Sequence, residues 1–536
     1  MTGLEALKRA ALAASIALAL PPTVTGQPGP LTRAERTGFA ETSRHADVVA
    51  FLDSLAARAP GLRVFPFGWS QEGRALPLVV WAPWAGPDGF ASAYAARGAS
   101  GDRVRVLVFA NIHAGEVAGK EAALILLREL SEGAHAAWAD SILLMVAPIY
   151  NADGNERVLL TNRPLQHGPI GGMGQRANAM GLDLNRDFMK LEAPETRALV
   201  RLYREADPHV VVDLHTTNGT IHGYQLTYSP PLHPDTDPAV AGFVRDSLLP
   251  AVTAALRADP GWETWHYGNL AEDEGMDAPR GWYSFSPEPR YSTNYVGIRN
   301  RLGILSEVYS YLPFEERVWV TRRFVEAILD FAASHAGEIR RRVETADGGA
   351  VAGSELALAA DFERTMGAAD VLLGAVERER HPYTGEPMLR QVGPALVEPM
   401  PAFVSFRPTR TAAAPAAWLV PAGLEDVIEL LAAHGVATRS LAAPIRRGVE
   451  EFRITASRQE EREYEGHRAR ALEGTWESVE RELPAGTVVV PMDQPLARLA
   501  FHLLEPRASD GLVRWNAIEV EGAGVYPILR STAPIP

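Results

Sequence analysis

Runs of apolar residues alternate with helix-like stretches through roughly the first two thirds of the chain. The apolar runs include ALPLVVWA, VRVLVFANI, ILLMVAPIY, HVVVDL and LGILSEV. Stretches such as KEAALILLREL and PETRALVRLYREA lie between them and repeat their apolar residues at helical spacing. Because continuously apolar strands are buried on both faces, this alternation predicts an α/β domain with a mixed, mainly parallel sheet flanked by helices.

A small, polar and Gly-rich segment at residues 344–355, ETADGGAVAGSE, divides the chain into two regions. We predict that residues 27–343 form the α/β domain and that residues 344–355 are a linker. Residues 356–536 contain one strand–helix–strand pattern, AWLVPAGLEDVIELLAAHGVATRSL, and the strand-like runs VLLGAVERE and GTVVVPM. This pattern predicts a second, smaller α/β domain, with a structural or substrate-orienting accessory role. A length of 536 residues agrees with two domains.

The first 26 residues have the features of an export signal. Lys8 and Arg9 precede the apolar run AALAASIALAL, which is too short to span a bilayer, and small residues near Gly26 offer a cleavage site. We therefore expect a signal peptide at residues 1–26 and a secreted or periplasmic protein. We expect no later segment to be long and apolar enough to cross a membrane, and hence no stable membrane span.

Composition narrows the chemistry that is possible. The formal net charge of −14 argues against nucleic acid as a partner, because a nucleic-acid binder normally carries a basic face. The chain has no cysteine, which excludes disulfides, thiolate metal ligands and a cysteine nucleophile. Any metal ion must therefore be held by imidazole and carboxylate groups.

Polar residues with metal-binding potential follow three of the predicted strands. VRVLVFANI is followed by His113 and Glu116, HVVVDL leads into His215, and LGILS leads into Glu307. In a parallel α/β sheet such strand ends meet at one edge, where functional groups gather. Zinc accepts nitrogen and oxygen ligands, and a catalytic site uses three of them. His-x-x-Glu alone is a weak signal, because polar residues often end a strand, so the prediction depends on His215 joining the pair.

An ordered set of motifs adds a family resemblance over roughly residues 40–335. GWSQEGRALPL, HAGE, NADG, GQRANAMGLDLNRDF, DLHTTNG and ILSE occur in that order. The set resembles the zinc carboxypeptidase family of metallopeptidases, known as M14. The resemblance implies a single zinc ion held by His113, Glu116 and His215. It also implies that Glu307 is the catalytic carboxylate, which moves a proton from the attacking water to the leaving amine.

The same resemblance implies how a substrate is held. Arg176 matches the arginine that supports the carbonyl oxygen as it becomes negative, which is where catalysis is gained. Asn185 and Arg186 match the pair that binds the terminal carboxylate, so the expected partner is a peptide with a free C-terminus. A tyrosine is expected to close over the substrate. Tyr295 is our choice, because it lies twelve residues before Glu307 (307 − 295), and Tyr283 and Tyr291 stay open as alternatives.

Two aspartates beside these motifs have less defined roles. We interpret Asp183, in DLNRDF, as structural, whereas Asp213 could either be structural or orient His215. The predicted function is that of an exported zinc metallocarboxypeptidase. The alternative is an amidase on the same framework, acting on cell-wall peptides or removing an acyl group from an amino acid. A non-catalytic peptide-binding relative is disfavoured, because the three expected ligands and Glu307 are all present.

Overall fold

An eight-stranded mixed sheet forms the centre of the first region in the computed structural model, which describes residues 29–85, 92–217, 219–520, 522 and 524–536. The signal peptide predicted at residues 1–26 lies outside the described residues. The strands of this region are β1 Leu62–Trp69, β2 Ala75–Trp81, β3 Val104–Ala110, β4 Ile142–Ala147, β5 Val210–Thr216, β6 Leu226–Ser229, β7 Thr264–His266, β8 Asn269–Leu270, β9 Trp282–Tyr283 and β10 Leu302–Val308.

The order of the central sheet is β1-β2-β4-β3-β5-β10-β6-β7. Its middle strands β4, β3, β5 and β10 are parallel, and β1 and β2 are antiparallel additions at one side. All residues of β4 and β5 are buried, which explains why their sequences are apolar without alternation. The prediction of a mixed, mainly parallel sheet flanked by helices is confirmed.

Helices pack around this sheet and continue into the second region. Their bounds are α1 Arg33–Arg36, α2 His45–Arg58, α3 Ala96–Ala99, α4 Ala118–Ser131, α5 Ala152–Glu156, α6 Pro194–Ala206, α7 Pro238–Phe243, α8 Leu249–Ala258, α9 Ser292–Ile298, α10 Phe314–Ser334, α11 Ala336–Asp347, α12 Glu425–His434 and α13 Ala497–Leu504. Helix α4 lies close to β5 because Gly119 has no side chain: a Cβ atom there would lie 2.7 Å from Leu214 Cβ. This close approach brings the start of α4 beside the end of β5.

The second region is dominated by antiparallel strands. Its strands are β11 Glu355–Glu363, β12 Met366–Arg380, β13 Pro387–Phe403, β14 Ser405–Ala413, β15 Ala417–Val420, β16 Arg439–Ser440, β17 Ile445–Gln459, β18 Arg470–Leu483, β19 Val488–Pro491, β20 Gly524–Val525 and β21 Leu529–Ser531. The predicted strand–helix–strand pattern is present as β15, α12 and β16. The sequence analysis did not predict the long antiparallel hairpins β12–β13 and β17–β18.

The two regions are not joined by a flexible linker. Helix α11 runs through Asp347, so the predicted linker at 344–355 begins as helix, and β11 starts at Glu355. Strand β9 of the first region pairs in parallel with β13 of the second. One hydrophobic core cluster contains buried residues of both regions, including Val343, Leu356 and Trp418. The two regions therefore pack as one body.

One helical stretch, Pro238–Ala258, is long and apolar enough by length and composition to cross a membrane. The expectation that no segment after the N-terminus meets this test is therefore wrong. The stretch consists of α7, one π-helical turn and α8. Its buried side chains, such as Val240, Phe243 and Leu248, belong to the hydrophobic core. A core helix passes the same test, so the finding does not by itself indicate a membrane span.

Candidate active site

Three side chains with metal-ligand chemistry converge at the carboxyl ends of β3 and β5. Donor atoms of His113, Glu116 and His215 all lie within 4.8 Å of one another, and all three residues are buried. His113 Nδ1 is 2.9 Å from Glu116 Oε1, and His215 Nδ1 is 2.8 Å from Glu116 Oε2. The three residues that sequence reasoning grouped are thus brought together, and two nitrogens and a carboxylate facing one point suit a zinc ion.

The far nitrogen of each imidazole faces a second carboxylate. His113 Nε2 lies 3.0 Å from Asp183 Oδ1, and His215 Nε2 lies 3.0 Å from Asp213 Oδ2. Carboxylates in this position fix the ring and its tautomer, so that the other nitrogen presents its lone pair to a metal ion. The arrangement fits the residues to a metal site. It also gives Asp183 an orienting position that differs from the purely structural role we had expected.

Charges around the group favour a cation between the imidazoles. Burial lowers the pKa of His215, but the carboxylates of Asp213 and Glu116 outweigh it and hold that pKa well above the ordinary value. Burial raises the pKa of Glu116, whereas Arg163 and the two histidines hold it well below the usual range. Arg163 donates directly to Glu116 Oε1. Carboxylates that favour a proton on His215 would equally favour a divalent cation in its place.

Glu307 lies on the strand next to His215. In the parallel pairing of β10 with β5, Glu307 stands directly opposite His215. One cavity of about 680 Å³ is lined by Glu307 and by two of the three possible metal ligands, His113 and Glu116. Burial raises the pKa of Glu307 to about 8; the neighbouring His215 opposes this rise, and the carboxylate of Glu116 adds to it. A carboxyl group with a pKa near neutrality can both accept and donate a proton at working pH.

Two arginines reach the same cavity from the segment between α5 and α6. Arg176 donates through Nε and Nη2 to Asp183 Oδ2 at 2.9 and 2.8 Å, and its side chain is 43% exposed. Arg186 belongs to a single 3₁₀ turn, Leu184–Arg186, which Asp183 caps by accepting from Asn185 N at 2.9 Å. Asp183 therefore contacts His113, Arg176 and the Asn185 backbone at once. It connects the metal group to both predicted substrate-binding positions.

The three candidate tyrosines lie in different places. Tyr295 is fully buried, donates or accepts a hydrogen bond of 2.7 Å with His434 Nδ1, and packs on Phe188. It does not line the cavity, so the structure gives no support to our choice of Tyr295 as the closing residue. Tyr283 and Tyr291 do line the cavity. The backbone explains the difference, because Tyr291 is the N-cap of α9, with an extended conformation outside the helix, whereas Tyr295 lies within the helix and is fully buried.

The second region contributes to the cavity wall, which sequence reasoning did not foresee. Ala360, Asp361, Phe362 and Phe406, from β11 and β14, line it together with first-region residues. At the opposite side, Arg186 Nε donates to the hydroxyl of Tyr464 at 2.9 Å. No local motif marks these residues, because their position depends on how the two regions pack.

A second group of possible ligands joins the two regions away from this cavity. Donor atoms of His233, Asp235 and His502 also lie within 4.8 Å of one another. These atoms already have partners: Asp235 N donates to His233 Nδ1 at 3.1 Å, and His502 Nε2 is 2.8 Å from Asp235 Oδ2. Both Asp235 oxygens also accept from Ala357 N. We interpret this group as a hydrogen-bonded link between the regions.

A His–Glu–His group on an α/β sheet, with a half-buried carboxylate on the adjacent strand, defines the class of metal-dependent hydrolases. Comparison with known proteins narrows this class. Residues 48–241 match the family model described as zinc carboxypeptidase. The predicted resemblance to this family is thereby confirmed, as is the predicted zinc cofactor, which the family description and the His–Glu–His group support.

Individual proteins are similar to the chain over different lengths. Carboxypeptidase 2 of Trichophyton rubrum is 24% identical, over 94% of this chain and 89% of its own length. Carboxypeptidase D of Homo sapiens is 30% identical, over 36% of this chain and 15% of its own length. Among solved structures, carboxypeptidase A from Helicoverpa armigera matches at 16% identity with a TM-score of 0.40, over 55% of this chain and 75% of that one.

Proposed function

We propose that the protein is an exported zinc metallocarboxypeptidase that hydrolyses the C-terminal peptide bond of peptides. The observation that carries this proposal is the single cavity lined by His113, Glu116, Glu307, Arg176 and Arg186. It combines a metal-binding group, a proton-transfer group and two cationic binding groups. The match of residues 48–241 to the zinc carboxypeptidase family model supports the same function. Export is supported by the sequence of residues 1–26, in which the basic residues Lys8 and Arg9 precede an apolar run.

Each side chain has a distinct task in this proposal. His113, Glu116 and His215 hold the ion, which when bound lowers the pKa of a water ligand to about 7 and so supplies a nucleophile at neutral pH. Glu307 accepts a proton from the nucleophile and returns it to the leaving amine, as a carboxyl group with a raised pKa is suited to do. Arg176 stands beside His113 and donates to the carbonyl oxygen as negative charge develops there.

Selection for a chain end is assigned to the other arginine. Arg186 lies against the ring of Tyr291, with its guanidinium carbon 4.2 Å from the ring centroid, and it faces the same cavity. A guanidinium held in this way binds a carboxylate with charge-assisted hydrogen bonds. Asn185 is the neighbour of Arg186 in the turn, and its side-chain oxygen accepts a hydrogen bond from Ser292 N at 2.9 Å. This bond leaves the side-chain nitrogen of Asn185 as a second donor for the substrate carboxylate.

The proposal is tested with pairs of peptides that differ only at the C-terminus. A library of peptides with a free carboxylate should be cleaved at the last bond, and the matching amidated peptides should be cleaved much more slowly. A chelator should abolish both activities, and added zinc should restore them. Equal turnover of free and amidated peptides would contradict carboxypeptidase action and would favour the amidase alternative. Export is tested separately, by determining the N-terminus of the mature protein.

A further inference from the structure

A tight turn of the second region contacts the segment that carries Arg186. The turn is formed by Tyr464–His467, between β17 and β18, and its backbone bonds are Tyr464 N to His467 O at 2.8 Å and the reverse bond at 3.0 Å. Glu465 and Gly466 have φ values of 51° and 78°. Positive φ at both central residues is the requirement of a type I′ turn, and glycine meets it without strain.

Three polar contacts fix this turn on the first region. Glu465 Oε2 accepts from Asp183 N at 3.1 Å, and Lys190 Nζ donates to Glu465 O at 3.3 Å. His467 Nε2 lies 2.8 Å from Glu192 Oε1. The contacts are spread over residues 183–192, on both sides of Arg186. The turn is therefore docked on the binding segment rather than merely near it.

The turn determines which edge of the Arg186 guanidinium is free. Nε donates to the Tyr464 hydroxyl at 2.9 Å, and Nη1 donates to Asn185 O at 2.9 Å. Nη2 has no hydrogen-bond partner among the described residues. A guanidinium can bind a carboxylate through the Nε–Nη2 edge or through the Nη1–Nη2 end. Nε has one hydrogen, which Tyr464 takes, whereas Nη1 has a second hydrogen besides the one donated to Asn185 O, so the Nη1–Nη2 end is the edge that can still bind a carboxylate.

We infer that the second region supplies a positioning residue, Tyr464, which orients Arg186 for the terminal carboxylate of the substrate. This inference rests on the proposed carboxypeptidase function. Tyr464 does not touch the reacting bond; it acts by holding the guanidinium. The region after residue 356 is therefore assigned a part in recognising the chain end, through the turn Tyr464–His467.

The first test replaces the hydroxyl alone, with Tyr464→Phe. We expect KM for a peptide with a free C-terminus to rise about three- to tenfold, with kcat changed less than twofold. This rise in KM is smaller than the loss of a buried hydrogen bond to a charged group would cause, because Tyr464 is partly exposed and water can replace its hydroxyl. A merely structural role would not separate KM from kcat. Tyr383→Phe, at a tyrosine in another hairpin turn that is 68% exposed against 38% for Tyr464, is the control and should change neither.

A second variant, Gly466→Ala, moves the turn without removing the hydroxyl. A Cβ atom at Gly466 meets nothing within 4 Å, so the change acts only through the positive φ. We expect the same rise in KM, and circular dichroism should show that both variants remain folded. An unchanged KM in both variants, or a loss confined to kcat, would overturn the inference. Failure of the proposed function is distinguishable, because the wild-type protein would then cleave free and amidated peptides equally.

Discussion

Removal of the negative charge behind each ligand histidine tests whether the two aspartates position a metal site. Asp213→Asn and Asp183→Asn preserve size and leave a carbonyl oxygen that can still accept from the imidazole. Asp213 serves His215, and Asp183 serves His113, each with 3.0 Å between the carboxylate oxygen and Nε2. The substitutions therefore remove the charge beside each ligand histidine in turn, while each leaves the three expected ligands in the chain.

The size of the effect follows from this geometry. Loss of a carboxylate that orients a ligand histidine lowers metal affinity about 10- to 100-fold. At 1.36 kcal/mol per factor of ten, this is about 1.4–2.7 kcal/mol of binding free energy for each aspartate. The two aspartates hold different rings, so we expect the double variant to lose about the sum, or roughly 10²- to 10⁴-fold. A smaller loss in the double variant would mean that one ring compensates for the other.

The two variants should differ in turnover once zinc is saturating. Asp183 also accepts from Arg176 and from Asn185 N, whereas Asp213 has a contact with the hydroxyl of Ser292 instead. We therefore expect Asp183→Asn to lower kcat even at saturating zinc and Asp213→Asn to leave kcat close to wild type. This difference separates metal binding from support of the substrate-facing arginines.

Zinc affinity is measured by competition with a chelating dye in metal-buffered solution, and kcat is then measured with excess zinc. Asp361→Asn is the control, because Asp361 lines the same cavity but its side chain accepts, among the described residues, only from the neighbouring Phe362 N at 2.8 Å. Its zinc affinity should equal that of the wild type. Wild-type affinity in Asp213→Asn would refute the assigned role of that carboxylate, whatever happens to turnover.

Three further changes have defined outcomes. Glu307→Gln should keep zinc but lower kcat by about 10²- to 10⁴-fold, since the proton-transfer group is gone; elemental analysis and kinetics test this, and near-normal rates would remove Glu307 as the base. His215→Ala should lose zinc, whereas His502→Ala in the second histidine group should retain it, and equal zinc contents would contradict the assignment of the ligands. Gly474→Ala should lower the free energy of unfolding by about 1–3 kcal/mol, because its Cβ would collide with Arg453 O, while Gly367→Ala, with open space around it, should have little effect in denaturant titrations.

The central strands and the metal group could be predicted from the sequence because both depend on local pattern. Burial on two faces makes β4 and β5 continuously apolar, and parallel strands place their carboxyl ends at one edge. His113 and His215 could therefore be assigned to one site although 102 residues separate them (215 − 113). The pairing of Glu307 with His215 follows from the same rule.

Other features could not be predicted, because they depend on packing between distant segments. Spacing from Glu307 could not choose among the tyrosines, since the inward face of α9 is set by its contact with His434 of the second region. Asp183 belongs to a motif that was identified, but only the folded loop shows that it reaches His113. The turn Tyr464–His467 has an ordinary turn sequence, and nothing local indicates that it docks beside Arg186.

These packing-dependent features have a common consequence for how the two regions work together. The cavity has walls from both regions, and the buried pair Arg290–Asp510, 2.8 Å apart, joins the loop before Tyr291 to the segment after α13. Burial raises the pKa of Asp510 to about 7, and the charge of Arg290 opposes this rise. Separating the regions would leave both groups without the partner that compensates for their burial. The substrate-binding end of the cavity therefore depends on the second region for its position as well as for part of its surface.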